Sequence, residues 1–220
     1  MTRFFSRPRS PARSKLRAAR GAGATRRVIL LYHRVAAPGH DPFALAVPPA
    51  WFRDHLEIVK SRSRLVTLDE ILRTDGASDR DGSEVLASIT FDDGYADNLA
   101  VASPMLRDAA IPATFFVCTG SLGDARGFWW DRLASAIAAT DEPAASLDGL
   151  PGLEDIPFEG EPTSEDARVR ATLAIAARLQ PMHPEPRDRL VEELEARLPV
   201  RHGARREDSP IMDEAELRDL

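Results

Sequence analysis

The strongest constraint on the fold is a rhythm. Four short apolar runs alternate with segments of helical spacing over the first half of the chain. Residues 28–32, Val-Ile-Leu-Leu-Tyr, form a continuous aliphatic run, the pattern of a strand buried on both faces. Pro48-Pro49 then interrupts the chain, and Trp51, Phe52, Leu56 and Val59 follow at helical spacing. Residues 65–68 predict a second short strand, with 69–72 turning into helix. Residues 85–91 predict a third strand and 113–118 a fourth. Between those two, residues 98–109 are helical in pattern, with a kink expected at Pro104. The stretch 74–83 is rich in Gly, Asp and Ser and reads as a loop. Strands that alternate with helices imply βα units and a largely parallel sheet or barrel. Four strands alone do not separate those two architectures.

Beyond residue 119 the texture changes. Phe128-Trp129-Trp130 opens a helix with Leu133 and Ile137 on one side, and two further amphipathic helices are expected near 166–180 and 186–198. Residues 141–166 are rich in Pro, Gly and acid, which predicts a flexible connection. Residues 120–208 therefore read as a helical insertion or cap. Ser209-Pro210 is a good cap and first-turn pair for a last helix over 211–220, with no Gly or Asn to finish it.

The net charge of −6 hides a division. Residues 1–27 hold eight arginines and Lys15 without one acid, and the remainder is strongly acidic. The expectation is a disordered basic leader, 1–27, on an acidic globular body. Only Phe4 and Phe5 are interleaved with those charges, so no nucleic-acid partner is expected. No apolar run approaches the roughly 20 residues of a membrane helix or the segment of an export signal, which predicts a cytoplasmic protein. The single cysteine, Cys118, rules out an intrachain disulfide and reads as an inert buried thiol.

The one dense polar cluster follows the third strand: Thr90-Phe91-Asp92-Asp93-Gly94-Tyr95-Ala96-Asp97-Asn98. Adjacent residues of an extended chain point to opposite faces, so Asp92 and Asp93 converge only if the backbone bends, which Gly94 allows. The C-terminal end of a strand is also where α/β folds place ligands. Two close carboxylates repel, and a cation between them resolves the conflict. One carboxylate then ligates the ion while the other takes a proton from a metal-bound water. The alternative is that both aspartates cap the next helix or solvate a turn. The residues alone leave the two readings open.

Thr90-Phe91-Asp92-Asp93-Gly94-Tyr95 resembles the first signature motif of the NodB-like polysaccharide deacetylases. The similarity extends to Leu31-Tyr32-His33-Arg34-Val35 and to Ile111-Pro112-Ala113-Thr114-Phe115-Phe116-Val117, in the same order. The resemblance covers about residues 28–120. It implies a distorted (β/α)7 barrel and a hydrolase that removes acetyl groups from an N-acetylated saccharide with a divalent metal, zinc first among the choices. It assigns Asp92 as general base and Asp93 as metal ligand. His33 at the end of the first strand, Tyr95 in the motif, and Trp129 and Trp130, whose rings can stack on sugars, are candidates for groove or substrate contact. Trp129 and Trp130 open an amphipathic helix, so a core role for at least one is the simpler reading. Asp131 beside them reads as a first-turn helix acid.

The departure from the family concerns the metal. Its members complete the site with a His-x-x-x-His pattern, and among His33, His40, His55, His183 and His202 no two are four apart. A catalytic zinc site wants such imidazoles beside one carboxylate. The expectation is therefore a partial barrel, 28–119, with a helical insertion and a truncated helix at 209–220, which stops before the remaining ligands and before the barrel closes. On that reading the chain is an inactive fragment of a hydrolase. The alternative is a non-catalytic relative that binds carbohydrate or protein.

Overall fold

A computed structural model of the chain describes residues 26–73, 85–141, 149–150, 152–153, 156, 164–204, 206 and 208–220. The basic segment as far as residue 25 and the loop expected over 74–83 lie outside the described residues. The elements run β1 (Arg26–Tyr32), α1 (Pro49–Arg62), β2 (Arg64–Leu65), α2 (Leu68–Arg73), β3 (Val85–Phe91), α3 (Ser103–Ala109), β4 (Ala113–Phe115), α4 (Trp129–Ala139), α5 (Glu165–Leu179), α6 (Pro184–Arg197) and α7 (Glu214–Asp219).

The fold is mixed α/β around an open, fully parallel sheet. β3 is its centre. β1 pairs with it along its whole length, from Arg26 opposite Val85 to Tyr32 opposite Phe91. The other edge of β3 is shared: β2 pairs at Leu86 and Ala87, and β4 at Ile89 to Phe91. Neighbours on both edges bury β3 from Leu86 to Phe91. Ile89 and Phe91 face a core with Phe52 and Leu56 of α1 and Leu106 of α3. Ser88 and Thr90 lie on the opposite face and are buried as well.

Several expectations are corrected here. β1 is not buried on both faces: Ile29 is 49% and Leu31 54% exposed. The cause is position, because β3 is its only partner strand among the described residues. β1 also begins at Arg26, inside the segment expected to be a disordered leader. β2 and β4 are shorter than expected, and α2 already starts at Leu68. Pro104 lies where the helix changes type. A π-helical turn over Asn98–Ala102 changes to the α3 helix at Ser103, where Pro104 sits in the first turn and its missing N–H costs nothing.

Helices α4, α5 and α6 enclose a second core of Leu133, Ile137, Ile175, Leu179, Val191 and Leu194. Ser164 starts α5 as its cap, its hydroxyl accepting from the Ala167 N–H at 3.2 Å. Leu150, Leu153 and Ile156, within the stretch expected to be a flexible connection, are buried in this core. The last helix is capped by Asp213, not Ser209. Asp213 accepts from the Ala215 and Glu216 N–H groups while Glu216 accepts from the Asp213 N–H, a reciprocal box that a serine-proline pair does not provide. No helix among the described residues is long and apolar enough to cross a membrane.

Candidate active site

The Asp92–Asp93–Gly94 turn leaves the C-terminal end of β3. The Asp92 N–H still belongs to the ladder and donates to the Tyr32 carbonyl at 2.9 Å. The chain then bends sharply, with φ of 74° at Asp93 and 88° at Gly94. Aspartate is among the few non-glycine residues that tolerate this left-handed region. Gly94 is required by space as well, since a Cβ there would lie 2.7 Å from Val117 Cγ1. Backbone hydrogen bonds from neighbouring segments hold the turn. The Cys118 N–H donates to the Asp93 carbonyl at 3.2 Å, and the Met212 N–H donates to the Gly94 carbonyl at 3.0 Å. The Ala96 N–H donates to the Pro210 carbonyl at 2.9 Å.

The bend brings Asp92, Asp93 and His33 within electrostatic reach of one another. Burial pushes the Asp93 carboxyl above its ordinary value, His33 pulls it back and Asp92 adds to the rise. Cys118 faces the same carboxylate, its sulfur 4.0 Å from Asp93 Oδ1. The thiol is exposed, which corrects the expectation of a buried one: β4 ends at Phe115, so Cys118 lies beyond the strand. Partial burial, Asp93 and Asp92 push its pKa up, which keeps it a thiol and not a thiolate.

Tyr95 turns the other way, into the helical region. Its ring is fully buried, its hydroxyl donates to Asp131 Oδ2 at 2.9 Å and accepts from Trp130 Nε1 at 3.0 Å. Trp130 stacks on Phe128 at 4.5 Å between ring centres, and Trp129 packs against the helical core under the Arg187 guanidinium. Asp131 is the first-turn acid expected of it, accepting from the Phe128 N–H at 3.0 Å. It is also more than a helix acid. Burial raises its pKa to about 7 against the opposing hydrogen bonds from Tyr95 and Phe128. Arg34 completes the seam, 4.7 Å over the Tyr95 ring, with Nε 2.8 Å from Asp97 Oδ2 and an N–H donated to Ser209 Oγ at 2.7 Å. Sequence reasoning missed Arg34, Asp97 and Ser209 as parts of one network, because no local pattern links positions so far apart along the chain.

Residues 79–141 match the family model described as polysaccharide deacetylase. The Bacillus subtilis (strain 168) protein YxkH, a polysaccharide deacetylase by name, is 30% identical over 95 residues, which cover 43% of this chain and 33% of the relative. The family-model match falls on the segment that carries the aspartate turn, and both similarities are to polysaccharide deacetylases. It spans a third of the length of this curated relative. Two solved structures are also similar. A de-N-acetylase from Aggregatibacter actinomycetemcomitans matches with a TM-score of 0.35 at 18% identity, over 53% of this chain and 40% of that one. IcaB from Ammonifex degensii matches with a TM-score of 0.40 at 21% identity, over 78% and 81%.

The similarity to deacetylases raises the question of the metal. Among the described residues no three His, Cys, Asp or Glu side chains gather to hold an ion. Asp93 with Asp92 and His33 beside it does not make a ligand set, so these residues do not fit a catalytic metal by themselves.

Proposed function

We propose that the protein is a hydrolase that removes acetyl groups from an N-acetylated saccharide, with its aspartate turn at the mouth of a partial (β/α)7 barrel. The observation that carries this reading is the left-handed Asp93–Gly94 bend, which sets two carboxylates and His33 together at the end of the central strand. In the reaction, water attacks the acetamide carbonyl, the C–N bond breaks, and acetate and a free amine are released. Asp92 accepts the proton of the attacking water. The resemblance makes Asp93 the proposed ligand of a divalent ion such as zinc, but the described residues do not by themselves form a site for one. No step is assigned to the ion, since the described residues supply no further pair of ligands.

The test is acetate release from N-acetylglucosamine oligomers. Asp92→Asn should lower it by about 100-fold or more, the usual contribution of a positioned base, with the circular dichroism spectrum unchanged. Turnover equal to the unsubstituted protein would remove Asp92 from the role. The missing ligand pair favours a second reading, a non-catalytic module that binds carbohydrate or protein. Saturable binding of the same oligomers without any acetate release would decide for it.

A further inference from the structure

We propose that the cavity between the loop after β1 and helices α4 and α5 binds a monosaccharide-sized anion, whose carboxylate or phosphate sits at Arg168 and Arg201. The cavity holds about 290 Å³. That is near the lower end of small-molecule sites, roughly 300–1,000 Å³, and suits one sugar ring better than a polymer. Its wall includes Arg34, His40, Asp131, Ser135, Arg168 and Arg201.

Among the described residues, the charge on this wall is unevenly matched. Arg168 is only 7% exposed. One of its terminal nitrogens donates to Asp141 Oδ1 at 3.2 Å and to the Thr140 carbonyl at 3.3 Å, while its Nε is buried without a partner. Arg201 lies 3.7 Å from the same Asp141 oxygen. Two guanidiniums thus share one carboxylate oxygen of a half-exposed residue. The acids that face the cavity already have partners. Asp41 accepts from the Leu45 and Ala46 N–H groups, Glu165 is paired with His40, and Asp131 accepts from Tyr95 and Phe128. A partly buried guanidinium in excess of its carboxylates is costly, and an incoming oxyanion relieves that cost. Arginine's planar fork suits carboxylate and phosphate alike. The Ser135 hydroxyl, buried without a partner in the same wall, is a spare hydrogen-bonding group for the ligand's own hydroxyls.

The inference is independent of the hydrolase reading, and its test measures binding alone. The full chain is titrated calorimetrically with glucose 6-phosphate, glucuronate and uncharged glucose. At least one of the two anions should bind saturably, more weakly as salt is raised, and glucose should not. Which anion binds identifies the oxyanion as phosphate or carboxylate. Arg201 is 40% exposed along its side chain, so Arg201→Met leaves the fold intact and should weaken binding about tenfold or more, as expected for a lost charge-assisted hydrogen bond. The proposal is overturned if neither anion binds, if glucose binds as tightly, or if Arg201→Met binds like the unsubstituted protein.

Discussion

The two cores of this protein are built from different material. The core under the sheet mixes aliphatic side chains with rings: Tyr32, Phe52, Phe91 and Phe115 form a chain with ring centres 4.8–5.9 Å apart. Among α4, α5 and α6 the buried members are aliphatic, with Leu133, Ile175 and Leu194 at its centre. Rings of fixed shape in edge and stacked contacts have few alternative arrangements, and they lie directly beneath the aspartate turn. Aliphatic side chains fill a helical core with many near-equivalent packings. The difference teaches where precision is needed. The sheet core positions carboxylates, and the helical core supplies a wall. Between them runs the polar seam of Arg34, Asp97, Tyr95, Asp131 and Ser209.

The largest effect should come from Phe91→Ala, at about 3–5 kcal/mol, against about 2–5 kcal/mol for Leu194→Ala. Urea unfolding followed by circular dichroism measures both. The comparison sharpens if Phe91→Ala also abolishes acetate release while Leu194→Ala spares it. It breaks if the helical substitution harms turnover as much as the sheet one.

An intermediate effect concerns the seam. Asp131 holds its proton more tightly in the folded chain, with a pKa of about 7 against an ordinary 3.8. The folded state therefore binds more protons than the unfolded state between those values. Its contribution to stability is fully present below about pH 4 and is lost as pH rises to about 7, with a slope of at most about 1.4 kcal/mol per pH unit. Asp131→Asn keeps an oxygen for Tyr95 and should flatten that dependence in unfolding curves between pH 4 and 8. An unchanged slope would show that the carboxyl does not bridge the two regions in this way. The smallest effect belongs to the helical surface, where Glu193 and Arg197 pair one turn apart. Glu193→Ala should cost only about 0.3–0.5 kcal/mol in the same measurement.

Much of this was legible in the chain. β3 runs over the predicted residues, since Val85 to Phe91 is apolar or β-branched except at Ser88 and Asp92 ends it abruptly. Gly94 made a bend possible, but that Asp93 itself takes the left-handed conformation was not legible. Burial was less legible. Val28 to Tyr32 looks more apolar than β3, yet it is β3 that is enclosed, because burial depends on how many neighbours a strand acquires and composition does not encode that. Asp131 was readable as a helix acid, but its bond to Tyr95, 36 residues away, belongs to tertiary structure alone. Ser209 and Asp213 both carry cap chemistry. Only the Glu216 three residues after Asp213 favours the second, and that signal was in the sequence.

Position 93 answers to two masters, conformation and charge. Its φ of 74° admits glycine, asparagine and aspartate readily and taxes other side chains. An alanine there would therefore alter the backbone as well as remove the carboxylate, and a loss of function could be read either way. Asparagine keeps both the backbone shape and the side-chain size while deleting the charge. The backbone thus narrows the substitutions this site can accept in experiment, and by the same physics those it could have sampled in its history.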